Sequence, residues 1–358
     1  MAKKVMVAMS GGVDSSVAAL LLKEQGWDVT GVTMCFQSAA GSRRRSARCG
    51  RKNVADAKKV ARQLGIPHRS MDFYRHLEEI VVLDFVVEYI CGRTPNPCVR
   101  CNQYLKFGEL LKRGKALGLD KLATGHYARL ENKDGVAVLK KGVDKNKDQS
   151  YFLCQVSQKH LKRLVFPLGD LTKDEVRAIA RKKGLAMADK EASQEVCFIP
   201  DNNYRSFLKE RLNAACFKRG EIVDASGRVL GHHNGVFNYT IGQRGGLGIS
   251  AAYPLYVVRL DEPNNRVIVG KKEKVYAKTL IAIEPNILWR AGFKNKGPLK
   301  AKIRYNHPEA ACRVTLFNKN KLQVNFTKPQ AAITPGQFVV FYRGDAVVAG
   351  AKIWHPGS

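Results

Sequence analysis

The chain has 358 residues, enough at roughly 150 residues per domain for two or three domains with full cores. Hydrophobic residues make up 45% and charged residues 26%, which excludes a disordered or collagenous chain. Sixty-one Lys plus Arg against 31 Asp plus Glu leave a net charge of +30, and such a surface draws polyanions by counterion release, so nucleic acid is the natural partner.

In chain order, residues 5–9 read as a buried strand, 13–25 as a helix and 29–34 as a strand. A helix over 53–64 stops before Gly65, and 69–73 forms a third strand. Helices follow over 76–90 and 104–117, then a strand over 121–124 that runs into Gly125-His126. This alternation predicts an α/β fold whose parallel sheet is covered on both faces. Residues 37–52 carry Arg43, Arg44, Arg45, Arg48 and Arg51 without apolar periodicity and read as a basic loop. Thr172 caps an expected helix that ends near Gly184. After about residue 203 short strand-like runs dominate, among them 257–260 and 266–269 around a Pro-Asn-Asn turn. Runs at 300–305, 312–317, 322–326, 338–342 and 346–353 predict a small β-barrel, in a block from 271 to 358 that holds 16 basic and 4 acidic residues. The expected division is 1–202, 203–272 as a small central mixed or β domain, and 273–358 as the barrel. No run is long and apolar enough for a spanning helix, and residues 5–9 are too short for a signal-peptide core. A cytoplasmic protein with no membrane partner is expected.

The strongest local motif is Ser10-Gly11-Gly12-Val13-Asp14-Ser15-Ser16, between the first strand and the first helix. Its glycines let backbone approach a ligand, and its amides and hydroxyls converge at a helix N-terminus, where phosphate oxygens are favoured. No Lys follows, so it is not the G-x-x-x-x-G-K-[ST] loop. Gly125, ending a later strand, belongs to the same edge of the sheet. Of nine cysteines only Cys98 and Cys101 have a metal or redox spacing, within Thr94-Pro95-Asn96-Pro97-Cys98-Val99-Arg100-Cys101-Asn102. Placed at the entrance of the helix expected from Tyr104, they predict a thiol of lowered pKa and hence a reactive thiolate. A third cysteine lies in Ser193-Gln194-Glu195-Val196-Cys197-Phe198-Ile199-Pro200. Cys35 and Cys49, in or beside the basic loop, have no assignable task.

The glycine loop resembles that of the ATP-pyrophosphatase (PP-loop) superfamily, whose members cleave ATP between the α and β phosphates and adenylate a substrate oxygen. Taken with Ala123-Thr124-Gly125-His126-Tyr127, Asn146-Lys147-Asp148-Gln149-Ser150-Tyr151-Phe152-Leu153 and Gly242-Gln243-Arg244-Gly245-Gly246-Leu247-Gly248, the chain closely resembles bacterial and organellar tRNA-specific 2-thiouridylases over nearly its whole length. The resemblance implies that residues 1–202 form the ATP-binding catalytic domain and that the barrel binds tRNA. Ala8, Met9, Ser10, Gly11, Gly12, Val13, Asp14, Ser15 and Ser16 would bind ATP with Mg²⁺, while Met34 and Gly125 would bound the adenosine. Asp14 would act in catalysis, Cys101 would be the nucleophile and Cys197 the persulfide carrier. Asn96, Pro97 and Cys98 fall where the target base is contacted, and His126, Lys147, Asp148, Gln149, Arg304, Tyr305 and Gln337 match positions that touch tRNA.

One departure matters. Many family members have Asp where this chain has Cys98, so the carboxylate's role does not transfer. Cys98, Cys101 and Cys197 could together hold a [4Fe-4S] cluster with one open iron, and the third thiol favours that route over a persulfide relay closing a Cys101–Cys197 disulfide. A protein of the cysteine desulfurase and sulfur relay type would donate the sulfur. Two other readings are a PP-loop ligase or amidotransferase acting on a small substrate, which leaves the charge and cysteines unexplained, and a non-catalytic RNA-binding Fe-S protein with a dead loop.

Overall fold

The computed structural model describes residues 3–36, 51–190, 196–199, 202–294, 297–318 and 320–357. Residues 37–50, including Cys49 and the arginines 43–45 and 48, lie outside the described residues, as do Ser193, Gln194, Glu195 and Pro200.

Five parallel strands form the first sheet, in the order β3-β2-β1-β4-β7: β1 (Lys4–Ala8), β2 (Asp28–Cys35), β3 (His68–Asp72), β4 (Lys121–Ala123) and β7 (Leu164–Val165). Val5, Met6 and Val7 are fully buried, as a central strand covered on both faces requires. Helix α1 (Val13–Glu24) follows β1, and α2 (Arg51–Gln63) begins at Arg51 rather than ending the basic segment at residue 52. The strand order reverses between β2-β1 and β1-β4, so a crevice opens beyond the carboxyl ends of β1 and β4.

Two long helices differ from their sequence-based expectation. Helix α3 runs from Tyr74–His76 through a wide π-type segment, Leu77–Val82, into Leu83–Ile90. Helix α4 starts at Pro97, not at Tyr104, and passes from Pro97–Arg100 through a π-type segment, Cys101–Leu110, into Leu111–Ala116. The reason is local: Asn96 caps the helix by accepting from the Val99 amide at 3.2 Å, and proline suits the first helical position. Helix α5 (Lys173–Lys182) has the expected Thr172 cap, closed into a capping box by Glu175, and ends at Gly184 with φ +59°.

The central block forms a four-stranded sheet, β10-β11-β8-β9, from β8 (Arg219–Val223), β9 (Val229–Asn234), β10 (Tyr256–Asp261) and β11 (Arg266–Gly270). The last block is a barrel of β12 (Tyr276–Ile287), β13 (Leu299–Lys302), β14 (Ala310–Asn318), β15 (Lys321–Ala331), β16 (Phe338–Arg343) and β17 (Ala346–Pro356), closed by pairing of β12 with β17. A hairpin from within the first block, β5 (Ala128–Lys133) and β6 (Val136–Lys141), pairs onto β17 and extends the barrel sheet to eight strands. Sequence patterning missed it because the hairpin is polar on its free edge and needs the barrel for a partner.

The modules are held by buried charge. Glu88 at the end of α3 accepts from Arg93 through both carboxylate oxygens, at 3.0 and 2.8 Å, and from Lys352 of β17 at 2.9 Å; Glu88 and Lys352 are both buried. Burial raises the Glu88 pKa, but hydrogen bonds from Arg93 and Lys352 outweigh it and hold the carboxyl below its ordinary value. A carboxyl of lowered folded-state pKa contributes stability that is present above its unfolded value and lost as pH falls through the folded one. Glu88→Gln should therefore cost about 3 kcal/mol at pH 7 by leaving Lys352 buried without a counter-charge, and the deficit should shrink in acid, both read by urea denaturation.

Candidate active site

The crevice beyond β1 and β4 is a cavity of about 400 Å³, and most of the phosphate-loop candidates and all three cysteines line it. Ala8, Met9, Ser10, Gly12, Val13, Asp14 and Ser15 line one end, with Met34 and Phe36 from the end of β2. Cys98, Cys101 and Lys106 of α4 line the other, with Cys197 and Phe198.

At the loop, Gly11 has φ +73°, and a Cβ there would lie 2.5 Å from the Asn53 carbonyl oxygen, so only glycine fits. Gly12 is the N-cap of α1 and offers no side chain to its first amides, as an anion site at a helix N-terminus requires. The hydroxyls of Ser15 and Ser16 donate back to the Gly12 carbonyl at 3.1 and 2.8 Å, and the Ser10 amide donates to Ser15 Oγ at 3.1 Å. These bonds pre-set the turn. Gly11 and Ser16 thus shape the loop from behind, whereas Ser10 and Ser15 face the cavity. Asp14 accepts from the Tyr127 hydroxyl at 2.7 Å and from Lys173 Nζ at 2.5 Å. Lys190 Nζ donates to the Gly11 carbonyl at 3.0 Å and pairs with Asp56 at 2.6 Å. Both lysines line the cavity, and their spacing from the loop in sequence gave no signal.

At the sulfur end the expected lowered thiol pKa is overturned. The early start of α4 puts both cysteines within the helix rather than ahead of it. Cys101 is buried whereas Cys98 is exposed at the cavity wall; desolvation by the surrounding protein pushes the Cys98 thiol up to about 11 and also raises Cys101, against the opposing charge of Lys106. Both are protonated at neutral pH. His126, also facing the cavity, is pushed well below the ordinary histidine range by burial and by Lys106, and is neutral. Its Nδ1 lies 2.7 Å from Thr124 Oγ1, and its ring packs between Phe107 and Phe166.

None of the eight described cysteines, Cys35 among them, is disulfide-bonded, so no Cys101–Cys197 disulfide is formed. Among the described residues no three His, Cys, Asp or Glu side chains converge closely enough to hold a metal ion. Cys98, Cys101 and Cys197 share the cavity without forming the three-thiolate donor set that a [4Fe-4S] cluster needs, so this arrangement does not fit the cluster route.

The other expected RNA-contact residues divide. Gln149 lines the cavity and accepts from the Tyr127 amide at 3.1 Å. Pro97 also lines it, while Asn96 is engaged as the helix cap. Asp148 is buried and accepts from the amides of Gly142 and Ser150, which organises the loop carrying the half-buried Lys147. Gln337 donates to the carbonyls of Thr94 and Pro95 at 2.9 and 3.1 Å, clasping the segment ahead of the cysteines. Tyr305 packs on Phe152 with ring centroids 4.5 Å apart. Arg304 is spent on the carbonyls of Ile241 and Ala332 and on Thr334, joining central sheet to barrel.

Gly125 gives the sharpest test of the cavity. A Cβ there would stand 2.8 Å from the Asp14 carbonyl carbon and 2.9 Å from the Ser15 nitrogen, and these backbone atoms cannot swing away. Gly125→Ala should weaken ATP binding about tenfold or more, consistent with about 1–3 kcal/mol of overpacking, and leave tRNA affinity nearly unchanged. Calorimetry and gel shift read the two.

Three families match the chain in succession: tRNA methyl transferase HUP domain over residues 3–201, tRNA methyl transferase PRC-barrel domain over 205–271, and Aminomethyltransferase beta-barrel domain over 277–353. Relatives matched along the whole chain are more specific. The tRNA-specific 2-thiouridylase MnmA of Geobacter metallireducens is 48% identical, covering 98% of this chain and 96% of its own length. The tRNA-specific 2-thiouridylase MnmA 1 of Caldanaerobacter subterraneus subsp. tengcongensis is 49% identical, and the MnmA of Carboxydothermus hydrogenoformans 48%, each covering 98% of this chain and 97% of the relative. At that identity over nearly its full length, the chain belongs to the tRNA-specific 2-thiouridylase family.

Proposed function

We infer that this chain is an ATP-dependent tRNA-uridine 2-sulfurtransferase that replaces the C2 oxygen of the wobble uridine with sulfur. The observation that carries the reading is that one cavity, in a chain of this family, joins a phosphate-type loop to Cys101 and Cys197. A small-substrate ligase would need the loop but not the thiols, and an RNA-binding protein without catalysis would need neither facing the same space.

The chemistry sets the task. The C2 carbonyl of uracil has no viable leaving group, since oxide does not depart at neutral pH. Adenylating that oxygen with ATP makes AMP the leaving group. The loop amides of Ser10–Ser16, with Lys173 and Lys190, face the place where pyrophosphate charge develops, and fixed donors of this kind stabilise it without reorganising. Mg²⁺ commonly binds through one or two carboxylates and substrate phosphates, so Asp14 fits as its protein ligand, and the ion would neutralise phosphate charge. Met34, Phe36 and Gly125 border the space for the adenosine. Pro97, Cys98, His126 and Gln149 border the space for a flipped uracil, with neutral His126 as an aromatic wall.

Sulfur is taken to arrive as a persulfide on Cys197, delivered by a donor protein of the desulfurase relay. The Cys101 thiol attacks the inner sulfur, forming a Cys101–Cys197 disulfide and releasing hydrosulfide. Hydrosulfide adds to C2, AMP departs, and a proton is lost. An external thiol then reduces the disulfide before the next turnover. Cys98 lacks a covalent task in this sequence and serves as a contact for the base. Among the described residues no helix is long and apolar enough to cross a membrane.

Mass spectrometry of nucleosides from tRNA incubated with ATP and a sulfur source should reveal 2-thiouridine. Asp14→Ala should abolish pyrophosphate release while sparing tRNA binding, and unchanged release would remove the loop from the mechanism. Cys101→Ala and Cys197→Ala should each be inactive, whereas Cys98→Ala should keep partial activity in rigorously iron-free enzyme. Loss of all thiolation on iron removal would restore the cluster route. Affinity for tRNA should fall steeply with salt, given the excess of basic residues in the last block. A flat response would tie that charge to something other than RNA.

A further inference from the structure

We propose that Lys106 is the counter-ion that holds sulfur on Cys101 in its anionic form during transfer, an electrostatic role that the π-type winding of α4 creates. The inference deepens the thiolation reading and rests on it for the identity of the acceptor.

The geometry begins with the helix. Residues five apart on an α-helix, at 3.6 residues per turn, point roughly 140° apart, so Cys101 and Lys106 would ordinarily face different sides. Hydrogen bonds from residue i to i+5 widen the turn to about 4.4 residues and reduce that separation to roughly 50°. Cys101–Leu110 is wound this way, and both side chains line the same cavity. Gly108 marks the tight backbone: a Cβ there would sit 3.2 Å from the carbonyl oxygen of Gln103, five residues earlier. The widening thus turns a lysine that would face away into one that faces the thiols.

The electrostatics give that orientation a purpose. Cys98 and Cys101 are raised by desolvation, and Lys106 opposes the shift at both. The groups facing Cys101 are Cys98 and Lys106 from its own helix, His126 from beyond β4, and Cys197 from the 196–199 segment. Asp14, Lys173 and Lys190 lie at the loop end, where the two lysines are paired with Asp14 and Asp56. His126 is buried and neutral, so it supplies no charge. Lys106 is therefore the cation placed to favour a thiolate, and through-space attraction of this kind lowers a thiol pKa by about one to three units.

The test uses the full-length protein. Alkylation of Cys101 by iodoacetamide, followed at the peptide level by mass spectrometry from pH 7 to 10, reports the thiolate fraction directly and without turnover. Lys106→Met should move the midpoint up by about one unit or more and slow alkylation at pH 8 about tenfold, while Lys106→Arg restores most of the rate. If Lys106→Met does not purify folded, Lys106→Gln carries the same expectation. An unchanged midpoint in Lys106→Met would overturn the proposal. An unchanged midpoint with a raised KM for ATP would overturn it and assign the lysine to phosphate instead. Wild-type protein that makes no 2-thiouridine yet shows the shift would overturn the thiolation reading and leave the ion pair standing.

Discussion

The site depends on how closely two strand ends can approach. Beyond β4, the backbone at Gly125 lies against the Asp14–Ser15 peptide at a distance that admits no Cβ, and Gly11 is pressed in the same way on Asn53. These contacts fix the glycine loop between the ends of β1 and β4, where parallel strands of reversed order leave a crevice. The loop's amides then face a space that α4 borders from the other side. Nucleotide and sulfur chemistry share one cavity because the sheet allows its loop no other position.

Placing the cysteines requires the rest of the chain. The segment ahead of α4 is clasped from the barrel by Gln337 and by the Pro335 carbonyl, which accepts from the Thr94 amide at 2.9 Å. Arg100, immediately before Cys101, donates to both carboxylate oxygens of Glu284 on β12, at 2.8 and 3.2 Å. Arg100 is buried although Glu284 is partly exposed, and a buried guanidinium left without its carboxylate penalises a wrong docking heavily. The barrel thereby sets where the helix carrying Cys98 and Cys101 begins, beyond offering a basic surface. The barrel and the cysteine-bearing start of α4 share a frame through these contacts.

Much of this was legible in the sequence, and the exceptions have physical causes. The strand-helix alternation, the Ser10–Ser16 loop and the Thr172 cap are encoded locally, by periodicity and by side chains that cap or turn the chain within a few residues. Three features are decided at long range. The β5–β6 hairpin needs β17 as its partner. Lys173 and Lys190 reach the loop from 159 and 179 residues away in sequence, to Asp14 and Gly11 respectively. The protonation of Cys98 and Cys101 follows from desolvation by the surrounding protein, which outweighs their place in the first turns of α4. Arg304 also has a structural role that no local pattern announces: it donates to the backbone carbonyls of Ile241 and Ala332.

The cavity's charge connects the two chemistries. Asp14 against Lys106, Lys173 and Lys190 leaves the lining at +2, with His126 neutral and Cys98 and Cys101 protonated. That matches about two negative charges on a nucleoside triphosphate with its magnesium ion. A thiolate formed beforehand would compete for the same cations and weaken nucleotide binding. Desolvation suppresses that competition by keeping Cys98 and Cys101 neutral in the resting protein. Once the base is adenylated and pyrophosphate has left with its magnesium ion, only the single negative charge of the adenylate's phosphodiester faces the lining, and Lys106 is free to stabilise sulfur. The raised thiol pKa values, which first look hostile to sulfur chemistry, thus fit an enzyme that must bind its nucleotide before it ionises its nucleophile.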